Sequence, residues 1–321
     1  MHNWKGSLTG VLVGGLTGIL FGVGGFILSS IPGTHAMGPV VFLLVPIAAG
    51  FAITLVSHDL ERVSAAAILA TIGSLAILIA MHMETLLCAV LAFPLLLLGL
   101  MIGIALGLLF RKLTRKSEGS NLTFTSVVLL SMPLLILAGH RVEVSTLIHP
   151  RREVVTSTIR LAADPSQVWS ELQSFDSLSA DKPWLMYVGL PIPMKCVMEG
   201  SGLGAERTCY FNHGYILETV IEWSPPNVMH LSVDRTNMPG RHWLSFEDAR
   251  YELRRDGSET VLTRSTTIIS NLYPALYWRP FERWGVSSEH DYIFADLARR
   301  LQPTTRWTEV FEGPLRLTGL D

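Results

Sequence analysis

Charge is scarce in this chain: Asp, Glu, Lys and Arg make up 16% of its 321 residues, against about 25% in an ordinary soluble domain. The shortage sits in one half. Only six of the 25 Lys and Arg residues and four of the 27 Asp and Glu residues precede His140, so a lipid-soluble half is joined to a water-soluble one. The net charge is −2 and no basic cluster marks the second half, which argues against a nucleic-acid partner. Three cysteines without a C-x-x-C pair exclude a disulfide-rich scaffold and leave no dithiol site for zinc or redox work. There is no G-x-S-x-G, H-E-x-x-H or Walker A sequence, which removes the commonest hydrolase, zinc-protease and nucleotidase signatures. The run Gly200-Ser201-Gly202-Leu203-Gly204 falls between two strand patterns and presents no helix N-terminus to a phosphate. Glu282, Glu289, His290 and Asp291 do not converge on one helix face, so neither a metal nor a cofactor is called for.

What is present in the first half is long apolar helix. A bilayer core about 30 Å thick needs about 20 apolar residues, and 8–30, 37–56, 64–81 and 86–110 contain no charged residue. The segment 122–139, with Thr123, Thr125, Ser126 and Ser131, is a fifth candidate. The sequence therefore predicts an all-α transmembrane bundle of about five spans over 1–140, with an uncleaved first span. Lys5, Arg62, Arg111, Lys112, Arg115 and Lys116 fall on one side of such a bundle. That bias predicts a cytoplasmic N-terminus and, with five spans, an extracytoplasmic C-terminal domain at a bacterial inner membrane; if 122–139 does not span, the domain stays in the cytoplasm. Gly10, Gly14, Gly18 and Gly22 recur every fourth residue, as do Gly99, Gly103 and Gly107. Such stripes allow close helix packing within one chain or a homo-oligomeric face. With no acid, Lys or Arg inside a span, an ion path lacks its usual groups, and the spans read as an anchor.

After a linker at 141–150 the period changes to two. Glu153–Leu161 alternates, Asp164-Pro165 opens a helix over 166–173, and strands are expected over 193–199, 206–212, 215–223, 228–233, 248–254 and 260–270. A closing helix over about 288–301 carries the stripe His290, Phe294, Leu297 and Leu301. A tail, 303–321, follows.

Several stretches carry a resemblance: Ile159-Arg-Leu-Ala-Ala-Asp-Pro-Ser-Gln-Val-Trp169, Pro183-Trp184, Gly189-Leu-Pro-Ile-Pro193, Glu199-Gly-Ser-Gly-Leu-Gly-Ala-Glu-Arg-Thr-Cys-Tyr-Phe211, Glu218-Thr-Val-Ile-Glu-Trp-Ser-Pro-Pro226 and Tyr273-Pro-Ala-Leu-Tyr-Trp278. Residues 151–302 resemble the START-like, or SRPBCC, superfamily that includes polyketide cyclase/dehydrase proteins. The wording is similar to a bacterial subgroup that carries this domain behind membrane spans. The resemblance implies an α+β helix-grip domain, a bent antiparallel sheet around a long C-terminal helix, with a cavity for a lipid-like or other hydrophobic small molecule.

Candidate lining residues are Trp184, Arg207, Tyr210, Glu218, Tyr251, Arg264 and His290. Arg207 either faces inward, where it pairs with Glu218 or a ligand anion, or makes an outward cross-strand pair of little worth. A hairpin symmetric about Gly202-Leu203 sets Cys196 opposite Cys209, as a disulfide in an oxidising compartment or as two separate thiols. Three functions fit: membrane-anchored binding or transfer of a hydrophobic molecule, a cyclase or dehydratase using His290 with Glu218, and a ligand-sensing or scaffold protein.

Overall fold

The computed structural model describes residues 4–29, 37–57, 59–81, 85–114, 121–146, 149–241 and 243–301; the tail at 303–321 lies outside them. Five helices come first: α1 (Trp4–Ser29), α2 (Val45–Val56, entered through a π-helical turn at Val40–Leu44), α3 (Leu60–Ala80), α4 (Leu86–Thr114) and α5 (Asn121–Thr146). Three of them are long and apolar enough to cross a membrane, over Leu8–Leu28, Leu60–Ala80 and Leu86–Thr114. The expectation of five spans is corrected to three on that measure. Val40–Val56 is a shorter apolar helix, reaching about 25 Å at 1.5 Å per residue, short of a bilayer core. Helix α5 contains Pro133 and continues through His140, Arg141 and Glu143 to Thr146, into the stretch read as a linker. Leu16, Leu20, Ile68, Ile72, Leu98 and Met101 point outward, as side chains solvated by lipid do.

The glycine stripe of α1 is used inside the chain. A side chain at Gly14 would meet Ser57 and Ala66, at Gly18 it would meet Ala70 and Ile53, and at Gly22 it would meet Ser74. The stripe is thus filled by α2 and α3, the first of its two readings, close packing within one chain. Helices α2 and α4 interlock likewise: a Cβ on Gly50 would strike the Leu100 carbonyl, and one on Gly103 the Ile47 carbonyl. Backbone cannot yield as a flexible side chain can. Gly103→Leu is therefore expected to cost about 1–3 kcal/mol by overpacking. Gly24→Leu, where open space surrounds the position, is its control. Thermal unfolding of the detergent-solubilised chain reads the difference, and equal melting of the two variants would refute the interlock.

The water-soluble half is one seven-stranded antiparallel sheet in the order β1-β7-β6-β5-β4-β3-β2. Its strands are β1 (Arg151–Leu161), β2 (Pro193–Glu199), β3 (Glu206–Phe211), β4 (Gly214–Ser224), β5 (Val228–Thr236), β6 (Leu244–Asp256) and β7 (Glu259–Ser270). Two short helices, α6 (Pro165–Gln173) and α7 (Trp184–Val188), separate β1 from β2, and α8 (Ala275–Leu301) closes the chain. Helix α6 starts as expected: Asp164 and Gln167 form a reciprocal capping box with Pro165 at the first turn, satisfying N–H groups that the helix leaves unpaired. Helix α8 is twice as long as its apolar stripe suggested, because Pro280 and Gly285 break the periodic pattern without ending the helix. The core joins Leu161, Val220, Met229, Leu231, Leu253 and Leu262 of the sheet to Phe294 and Leu297 of α8 and to Trp169 of α6. This is the sheet-around-helix arrangement that the START-like resemblance implied.

The two halves are built onto one another. Met37, just before the π-turn, adds itself to the sheet's end, donating to Asn271 O (3.2 Å) and accepting from Tyr273 N (2.8 Å). Tyr277 Oη donates to Leu91 O of α4, and Phe42 packs on Trp278 with ring centroids 5.0 Å apart. At the opposite end of the bundle Arg111 Nη1 caps the carbonyls of Thr54 (3.3 Å) and Ser57 (2.9 Å).

Candidate ligand cavity

A cavity of about 190 Å³ lies between the inner face of β3–β7 and helix α8. Alternation of side chains along each strand decides what faces it. On β3 the inward set is Arg207 and Cys209, and on β4 it is Ile216, Glu218 and Val220. Arg207 stands directly opposite Glu218, and Tyr251 of β6 opposite Arg264 of β7. Four of the seven expected residues, Arg207, Glu218, Tyr251 and Arg264, are thereby brought together on the cavity wall. Cys196 and Cys209 also face it, directly opposite each other in the register and joined by a disulfide.

The polar cluster is sparsely bonded for its burial. Arg207 is 2% exposed and Arg264 8%. Arg207 Nη1 lies 3.5 Å from Glu218 Oε2 and donates to Tyr251 Oη at 3.4 Å. Arg264 Nη1 lies 3.0 Å from Glu289 Oε2. Both guanidinium groups sit over the Tyr251 ring, at 5.6 and 5.3 Å from its centroid, an arrangement that attracts cations to an aromatic face. The Nε–H of each arginine has no hydrogen-bond partner, and a buried orphan donor costs about 1–3 kcal/mol. Burial pushes the Glu218 carboxyl above the usual carboxylate range, against the opposing pull of Arg207 and Arg264. A proton on Glu218 leaves Arg207 without its carboxylate partner, while Arg264 keeps Glu289.

The other three expected residues lie elsewhere. Trp184 and Tyr210 are exposed; Trp184 packs against Trp284 with the rings tilted, centroids 5.1 Å apart. His290 is fully buried behind the wall, its Nε2 hydrogen-bonded to Thr266 Oγ1 (2.8 Å) and its Nδ1 to Ser157 Oγ (3.0 Å). Burial, helped by the nearby Arg264 charge, holds its pKa down to about 2, so the ring is neutral. The His290–Glu218 acid–base pair is not formed: both ring nitrogens are taken by hydroxyls.

Sequence reasoning missed the α8 face that does line the cavity. It is the neighbouring stripe Glu282, Val286, Glu289 and Ile293, spaced three or four apart, whereas the His290 stripe enters the core. A two-carboxylate stripe looks like a solvated face, and only the sheet's position reveals otherwise. Glu282 is held by Arg151 Nη2 (2.8 Å) and Ser270 Oγ (2.6 Å), so it is satisfied already. Among the described residues no group of three or more His, Cys, Asp or Glu side chains is placed to hold a metal ion.

No protein-family model matches this chain, and no curated protein matches it. Solved structures do. A START superfamily protein from Mycobacterium smegmatis is 12% identical, covering 47% of this chain and 99% of its own, with a TM-score of 0.36. A protein from Nitrosospira multiformis is 18% identical over 46% of this chain and 96% of its own (TM-score 0.32). Norcoclaurine synthase from Thalictrum flavum, in complex with dopamine and hydroxybenzaldehyde, is 10% identical over 49% and 90% (TM-score 0.32).

Proposed function

We propose that this protein is a membrane-anchored binder of a hydrophobic small molecule or lipid, held in the cavity between β3–β7 and α8. The observation that carries this reading is a mostly apolar cavity with a few convergent polar groups, Arg207, Tyr251 and Arg264, which is the usual make-up of a small-molecule site. A wall that reaches Leu87 and Leu91 of α4 supports exchange with the bilayer. The position of His290, off the wall and with both nitrogens engaged, favours binding over a cyclase-type reaction.

The domain lies outside the cytoplasm on this reading. Arg62 and Arg111 belong to the end of the bundle near Ser57, away from the Met37 junction, and basic residues favour the cytoplasmic side. The Cys196–Cys209 disulfide supports the same side, since such bonds persist in oxidising compartments. Thiol titration of protein purified without reductant and then denatured is expected to find one reactive cysteine of the three, Cys88, and three after reduction. Three before reduction would place the domain in a reducing compartment.

Native mass spectrometry of the full chain released from detergent, with solvent extraction of what it retains, tests the function. A discrete small-molecule adduct is expected on the wild type. It should be lost in Ala249→Trp, which fills the cavity from β6. No adduct, or one equally present in Ala249→Trp, would overturn the reading.

A further inference from the structure

A second cavity, of about 120 Å³, lies inside the bundle, in the half nearest the α+β domain. Helix α3 packs chiefly on α1 and α4 chiefly on α2, and α1 and α2 pack on each other, but α3 and α4 scarcely touch, which leaves space between those two. Its walls are apolar, with Phe42, Leu75, Ala92 and Leu96 among them. Four residues belong to both cavities: Cys88, Trp243, Leu272 and Trp278. The two spaces therefore meet at one partition, made of a bundle helix, the start of β6 and the start of α8. At one end lie two buried arginines with orphan Nε–H donors; at the other the lining carries no charged side chain, and Thr71 and Ser74 are its hydroxyls.

We propose that the two cavities form one site for an amphiphile with an oxyanion headgroup, its head on Arg207 and Arg264 and its tail threaded past Trp243 and Trp278 into the membrane bundle. This deepens the binding function proposed above and rests on it. The chemistry selects the headgroup. A guanidinium keeps its charge when buried and presents donors that match carboxylate or phosphate oxygens, and an incoming oxyanion offers acceptors to donors that now have none. Each arginine has a carboxylate beside it, Glu218 and Glu289, but burial favours the neutral form of Glu218, so a cationic headgroup would meet more like charge than opposite charge in a desolvated space. The bundle pocket selects the tail, since its lining is almost wholly apolar and the Thr71 hydroxyl already donates to Ala67 O, which leaves a polar chain little to replace its water. A chain that stops short of the partition leaves that pocket empty.

The test uses the full chain in native mass spectrometry with four probes: hexadecanoate, octanoate, hexadecyl phosphate and hexadecyltrimethylammonium. Hexadecanoate or hexadecyl phosphate should bind at least tenfold better than octanoate and than the cationic probe; which of the two wins separates a free carboxylate from a lipid-type phosphate. Ala92→Phe, which fills the bundle pocket, should remove the advantage of the long chain and leave octanoate unchanged. Should that variant fail to fold, photo-crosslinking on the wild type replaces it. A diazirine at the tail end of hexadecanoate should label α1–α4, and one beside the carboxylate should label β3–β7. Equal binding of the cationic probe, or tail-end labelling confined to the sheet, would overturn the inference while cavity binding stands. Loss of every adduct, the co-purified one included, would overturn the binding function itself.

Discussion

Arg207→Met is expected to destabilise the α+β domain by about 3–5 kcal/mol, because it strands a buried carboxylate. Glu218 is 7% exposed and Arg207 is its cross-strand partner. Much of that cost is desolvated charge, not lost attraction, so removing both charges should hurt far less than removing one. The double variant Arg207→Met/Glu218→Leu is predicted to recover most of the loss. The pH dependence has a definite sign. Burial raises the folded-state pKa of Glu218, so the penalty is present at high pH and is relieved as pH falls through that raised value. Relative to wild type, the single variant should therefore gain stability on acidification. Denaturant-induced loss of sheet signal, measured for the wild type, both single variants and the double, gives the coupling directly. Additive effects within about 0.5 kcal/mol would show that the pair is not coupled.

The same pair shows how far the sequence could be read. A hairpin symmetric about Gly202-Leu203 sets Cys196 against Cys209, one of the two readings the sequence left open, and the observed register takes that one. Strand alternation then put Arg207 on the same face as Cys209. The sheet was legible because a period of two leaves each residue only two choices. The closing helix was harder. A helix has a continuous choice of facing, and His290, an attractive candidate on an apolar stripe, turned out to belong to the core, while Glu289 beside it faces the cavity. Span counting failed for a different reason. Hydropathy records what a segment would tolerate, and the segment Val40–Val56 is apolar because it is buried among other helices, not because its length fits a bilayer. Nor could composition foresee the junction. Trp243, Leu272 and Trp278 are distant in sequence and meet Phe26, Met37 and Phe42 only once the domain has docked.

His290 is predicted to make the domain acid-labile. Its folded-state pKa is held down to about 2 from an ordinary 6.5, so below pH 6.5 the unfolded chain takes a proton that the folded chain refuses. The stabilisation is complete above pH 6.5 and declines as pH falls, by about 1.4 kcal/mol per pH unit. Between pH 7.5 and 4.5 the loss reaches about 3 kcal/mol. The groups around the ring fix the interpretation: Arg264 on β7 opposes protonation, Glu289 and Asp291 flank it on α8, and Ser157 and Thr266 do not titrate in this range. His290→Gln keeps a donor and an acceptor for the two hydroxyls but has no proton to exchange. Subtracting its pH profile from that of the wild type cancels every carboxylate common to both. A residual of about 3 kcal/mol assigns the acid lability to His290; parallel profiles would mean that the ring takes up its proton as readily in the folded state as in the unfolded one. A ring that stays neutral cannot serve as a proton donor near neutral pH. Its work is mechanical: it ties Ser157 of β1 to Thr266 of β7, and Thr266 is itself part of the cavity wall. Acidification should therefore loosen the cavity by the same step that unfolds the domain.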